Sequence, residues 1–161
     1  GPGAVAACGG RRSGPGLGQA CGAFRFDKAG TRIDSTPAGR RAWLAGGDER
    51  GLDASFQDGA HGQPARDIVA SLVPTEDFDE AFERIQQIEI AEVGGITVLP
   101  GAAEALSAIG EYRKAIVTSC TRPLAAARIR ASGLVSPRVV VTSDDVVRGK
   151  PDPEPFVRPR Q

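Results

Sequence analysis

Two short apolar runs near the C-terminal end, "KAIVTS" at 114–119 and "RVVVTS" at 138–143, alternate with the helix-like stretches "AAEALSAIG" and "PLAAARIRASG". Apolar runs of this length that do not alternate with polar residues suit strands buried on both faces. When helices separate such strands, the economical solution is a parallel α/β sheet with helical crossovers. A third run of this kind lies upstream, from Ala23 to Asp27, and it too ends in a polar residue. From about Thr36 to Val93, before "GGITVLPG", the pattern turns helical. "TPAGRRAWL" opens with Thr36 and Pro37, and "EDFDEAFERIQQIEIAEV" spaces Phe78, Phe82, Ile85 and Ile88 at helical intervals. "AGGDERG" is expected to interrupt the first of these helices.

The expected architecture is therefore a doubly wound, Rossmann-like α/β core made of residues 23–35 and 94–161, with a helical cap, residues 36–93, inserted after the first strand. Residues 1–22 are rich in Gly and poor in apolar side chains, which predicts a flexible leader. The "GPGLGQ" within it lacks both the third glycine and the preceding strand of a dinucleotide fingerprint. The chain begins with Gly and contains no Met, so a fragment or a processed product is the expectation.

Lys plus Arg and Asp plus Glu balance at 20 each across 161 residues, which argues against nucleic acid or an anionic membrane as partner. An anionic ligand would have to be held by a local site. Cys8, Cys21 and Cys120 are odd in number and lack paired metal-ligand spacing, and His61 is the lone histidine. A reducing, cytoplasmic setting follows as the expectation. No apolar run approaches the length of a membrane span.

In open parallel sheets, ligands bind beyond the carboxyl ends of the strands. Those ends carry Asp27, then Thr118 and Ser119, then "SDDVVRGKPDPEPF" with Lys150. Taken singly, each has an ordinary structural use as a cap, a strand former or a solvated charge. Together they form a coherent set: a carboxylate nucleophile, a hydroxyl donor to a phosphoryl group, and a lysine to neutralise its charge. Gly30 and Thr31 would add backbone N–H groups to the anion cradle.

From about Ala23 to Phe156 the chain resembles the haloacid dehalogenase-like hydrolases, and within them the phosphatases of small sugar or polyol phosphates. Asp27 to Thr31, followed by Arg32, Ile33, Asp34 and Ser35, is similar to the first motif of that family. "AIVTSCTR" resembles the second, with Thr118 as the phosphate-binding hydroxyl, and "VTSDDVVRGKPDPEPF" the third, with Lys150 as its lysine. "VLPGAAEAL" is similar to the return from cap to core, and "HGQPARD" to the cap loop that reaches over the substrate. The resemblance implies attack of Asp27 on phosphorus, an aspartyl-phosphate intermediate, hydrolysis by water, and Mg²⁺ held in part by Asp27. His61, Gln63, Arg66 and Arg122 become candidates for contact with the substrate, a small phosphorylated metabolite. Trp43 is expected to pack within the cap, and Cys120 to be a bystander at the mouth of the site.

Two departures bear on activity. The family's second aspartate, a general acid and base, corresponds here to Ala29, whose methyl group cannot transfer a proton. The fourth motif, an acidic pair that helps to hold Mg²⁺, would follow "FVRPRQ", so the core is expected to be incomplete at its C-terminus, with the remaining metal ligands absent. Asp144 and Asp145 precede Lys150 and fit better as loop or helix caps. The expected outcome is a phosphatase impaired by Ala29 and the missing motif. One alternative is a non-catalytic phosphate-binding remnant. A lower one is a carbon–phosphorus hydrolase like the phosphonoacetaldehyde hydrolases, which carry Asp-x-Ala-Gly-Thr but need a cap lysine. Lysine occurs only at Lys28, Lys114 and Lys150, none of them in the cap.

Overall fold

The computed structural model describes the backbone of residues 24–27 together with residues 33–57, 63–149 and 152–157. Along the chain these form β1 (Phe24–Asp27), β2 (Ile33–Asp34), α1 (Thr36–Glu49), α2 (Ala65–Leu72) and α3 (Phe78–Ala91), then β3 (Thr97–Val98), α4 (Ala102–Ser107), β4 (Lys114–Val117), α5 (Arg122–Ser132), β5 (Val140–Val141) and α6 (Glu154–Val157). Strands β1, β4 and β5 make a parallel sheet in the order β1-β4-β5, with Asp27 opposite Val117 and Val117 opposite Val141. β4 is central, and Ile116 and Val117 are fully buried. Burying each such side chain is worth about 1.5–3 kcal/mol relative to exposure. This explains an apolar run without polar alternation. The result is a Rossmann-like α/β core.

β2 and β3 pair antiparallel, Ile33 with Val98 and Asp34 with Thr97. This two-stranded ribbon, which periodicity over so few residues could not announce, brings together the two chain segments that flank the helical stretch. Arg41 reinforces the closure from α1, donating to the Glu92 carboxylate at 2.8 Å and to the Gly94 carbonyl at 2.6 Å.

Two apolar clusters result. One gathers Ile33, Ala38, Ile96, Leu106, Ile116, Ile129 and Leu134 around the sheet. The other gathers Val69, Ala81 and Ile85 with Trp43, Val73, Phe78 and Phe82 among the inserted helices, so Trp43 is a packing residue as expected. One expectation needs correction: α1 runs unbroken through Gly46 and Gly47 to Glu49. Close approach explains those glycines. A Cβ at Gly46 would lie 2.9 Å from the Ile85 Cδ1, and one at Gly47 would lie 2.5 Å from the Phe56 ring. Helix α1 stops at Arg50 and Gly51, where φ is +67°. No described helix is long and apolar enough to cross a membrane.

Candidate active site

The β1–β4 register sets Asp27 beside Val117, so the backbone of Asp27 lies one residue short of Thr118 at the same edge of the sheet. Thr118 is buried, and its amide continues the ladder to the Val141 carbonyl at 2.9 Å. Its Oγ1 accepts the Cys120 N–H at 3.2 Å, a short side-chain turn within "TSCT". With Oγ1 accepting there, the Thr118 O–H is left to donate elsewhere, and it has no acceptor among the described residues. Ser119, half-buried, follows at the same edge.

The loop after β5 is fastened to this one. Ser143 N–H donates to the Cys120 carbonyl at 3.0 Å, and Arg122 N–H, at the start of α5, donates to Asp144 Oδ2 at 2.7 Å. Asp145 accepts from the Thr142 amide and hydroxyl at 2.8 and 2.7 Å and from the Arg122 guanidinium. Partial burial disfavours the charge of Asp145, but the Thr142 hydrogen bonds and the Arg122 cation outweigh it and hold the carboxyl below its ordinary range. Both acids therefore act as caps. Arg122 itself begins a helix and is engaged by Asp145.

In the inserted helices, "HGQPARD" is helical from Ala65, with Pro64 at the N-cap and Asp67 in the first turn, so Arg66 and Asp67 are not loop residues. The exposed Arg66 guanidinium lies 4.6 Å from the Phe82 ring centroid and 5.5 Å from that of Phe78, the two rings being stacked. That contact uses the flat face of the guanidinium and leaves its N–H edge available. Gln63 is exposed. His61, Gly30, Thr31, Ala29 and Lys150 lie outside the described residues.

A buried polar group that periodicity did not single out lies between α3 and α5. Glu89 and Arg128 pair at 2.8 Å, Gln86 bridges to Glu89 at 3.3 Å, and Thr121 donates to Gln86 at 2.5 Å. The signal was available: Glu89 falls four residues after Ile85, and Arg128 four after Leu124, both on apolar stripes where a charge is out of place.

Among the described residues no three His, Cys, Asp or Glu side chains converge where a metal ion could sit. Mg²⁺ prefers several carboxylate and water oxygens in octahedral geometry, and the acids of the loop after β5, Asp144 and Asp145, are already committed to N–H and O–H donors. The described donor set does not fit the ion.

A short parallel sheet whose strand ends bear Asp27 and a buried threonine, with helices inserted after β1, belongs to the Rossmann-like α/β class. Residues 22–158 match the haloacid dehalogenase-like hydrolases, and the chain belongs to that family. It is 39% identical to hexitol phosphatase A of Escherichia coli over 85% of this chain and 66% of that protein. It is 31% identical to glycerol-1-phosphate phosphohydrolase 2 of Saccharomyces cerevisiae over 84% of this chain and 56% of that protein. The chain thus spans between about half and two thirds of the length of these relatives. A hydrolase from Pseudomonas syringae superposes with a TM-score of 0.70 at 27% identity, over 83% of this chain and 66% of that one.

Proposed function

We propose that the chain carries the phosphate site of a phosphatase for small sugar or polyol phosphates, and that turnover by this chain is strongly reduced. The observation that carries this reading is the register that sets Asp27 and Thr118 at neighbouring strand ends. The relatives acting on hexitol and glycerol phosphates support the substrate class. Asp27 would attack phosphorus and the ester P–O bond would break. Thr118, Ser119, Lys150 and the amides of Gly30 and Thr31 would hold the phosphoryl oxygens. The departing alkoxide must take its proton from solvent, because Ala29 offers none. Residues 36–93 would act as the cap, with His61, Gln63 and Arg66 facing the polyol. Arg122 stays in that set, its guanidinium anchored on one side by Asp145 and exposed on the other. The Ala29 position also favours a second reading, a phosphate binder without turnover.

Hydrolysis of p-nitrophenyl phosphate in Mg²⁺ buffer tests both. The comparison is between this chain, its Ala29→Asp variant, and an Ala29→Asp chain extended to the length of the relatives. The extended variant should exceed the present chain by about 10²- to 10⁴-fold. Comparable rates would overturn the impairment, and inactivity of all three would remove the phosphatase assignment.

A further inference from the structure

Thr121 occupies the N-cap position of α5, yet its side chain makes no capping bond there. The first helical amide, that of Arg122, is served by Asp144 from the following loop. This releases the Thr121 hydroxyl, which crosses to α3 and donates to Gln86 Oε1 at 2.5 Å. Gln86 is fixed in turn, its amide donating to Glu89 Oε2 at 3.3 Å. Glu89 Oε1 accepts from Arg128 at 2.8 Å, and the other arm of that guanidinium reaches the Cys120 sulfur at 3.5 Å. One network therefore reaches "TSCT" at two residues, Thr121 from Gln86 on the inserted helix α3 and Cys120 from Arg128 on α5, which Glu89 of α3 holds in turn.

Stability alone is a poor reason for this arrangement. Glu89 and Arg128 are both nearly sealed from water, and a buried ion pair is often matched or bettered by apolar side chains of similar volume. What such a pair supplies is directionality, because a guanidinium between a carboxylate and a sulfur tolerates little sliding of the two helices. The turn it holds is the one that sets Thr118 Oγ1, through the Cys120 amide.

We propose that Gln86 and Thr121, backed by the Glu89–Arg128 pair, are positioning residues that hold the 118–121 turn in the shape its anion site requires. The claim rests on the phosphate reading for its ligand, but not for its geometry.

The test uses the whole chain as Thr121→Val, which keeps shape and loses the hydroxyl, Thr121→Ser, which restores it, and Gln86→Leu. Two readouts are taken. Amide hydrogen exchange at Cys120 and Ser143 reports the turn directly, and NMR titration with inorganic phosphate reports the site. Thr121→Val and Gln86→Leu should each speed exchange at those two amides by about five- to tenfold, with the Val73 amide that closes α2 unchanged and Thr121→Ser returning the parent rates. Phosphate affinity should fall in the same order and by a similar factor. Unchanged exchange at Cys120 and Ser143 in Thr121→Val would overturn the proposal. So would acceleration spread evenly over the chain, or failure of Thr121→Ser to rescue. If neither parent nor variants bind phosphate, the functional reading falls while the exchange data still decide the positioning claim. If Gln86→Leu does not fold, the two Thr121 variants decide it alone.

Discussion

Thr142 is sealed from solvent, and both its amide and its hydroxyl donate to a single oxygen of Asp145 while Arg122 holds the other. Replacing Asp145 with Ala should lower stability by about 1–2 kcal/mol, read as a shift in the urea midpoint. The same carboxylate makes a pH prediction. Its folded-state pKa is depressed, so its contribution is fully present above the unfolded carboxylate value of about 3.9 and is lost as pH falls through the folded value. An acid titration followed by circular dichroism should therefore show a shallower loss of stability below about pH 4 in Asp145→Asn than in the parent. At this scale the sequence was legible where a residue's use is local. Asp144 and Asp145 read as caps, because an acid pair just after a strand and before a turn has few other uses. Gln86 and Thr121 were not legible, since their meaning lies in a partner 35 positions away. The ion pair that anchors Arg122 was hidden for the same reason, with Asp145, its partner, 23 residues on.

Helix α1 shows how an element can be read correctly at one end and misread at the other. Thr36 and Pro37 mark its start in the sequence itself, and the structure adds Asp34, whose carboxylate accepts the Thr36 amide at 3.1 Å. "AGGDE" then looks like a break, because glycine costs a helix about 1 kcal/mol relative to alanine. Packing reverses that preference. At Gly47 an added Cβ would meet an aromatic ring that is itself held against Trp43, whereas at Gly46 it would crowd the tip of Ile85, which can turn away, and touch that of Ile88 at an ordinary contact distance. Gly47→Ala should therefore destabilise the chain by about 1 kcal/mol, overpacking outweighing the gain in helix propensity. Gly46→Ala should fall within about 0.5 kcal/mol of the parent in the same denaturation experiment. The strands were the easiest elements to find, because β4 is buried on both faces and its apolar run is uninterrupted. The β2–β3 ribbon was the hardest, since two residues per strand carry no period.

Across the whole molecule, the two apolar clusters are joined by the Glu89–Arg128 pair, and its loss should be felt in both. Arg128→Leu leaves a buried carboxylate without its cation and should cost about 3–5 kcal/mol. Adding Glu89→Leu should recover most of that. Urea unfolding, followed by Trp43 fluorescence for the inserted helices and by far-ultraviolet circular dichroism for the chain at large, checks both variants. In the parent the two signals should coincide, because α3 and α5 share buried contacts. The α/β class and the inserted helical stretch were legible at this scale from the alternation of patterns. The way the two clusters are tied together was not, because it depends on polar residues that periodicity counts as errors.

Helix α1 contributes Ala38 to the cluster around the sheet and, one and a half turns later, Trp43 to the cluster of inserted helices. Its 14 residues make a rod about 21 Å long with no break between those anchorages. Such a rod behaves as a lever with its fulcrum beside β2. A tilt of five degrees at the fulcrum displaces the far end by about 2 Å. Gly46 and Gly47, which looked like the joint, lie at the tip of that lever, where the displacement is greatest and the bending is least.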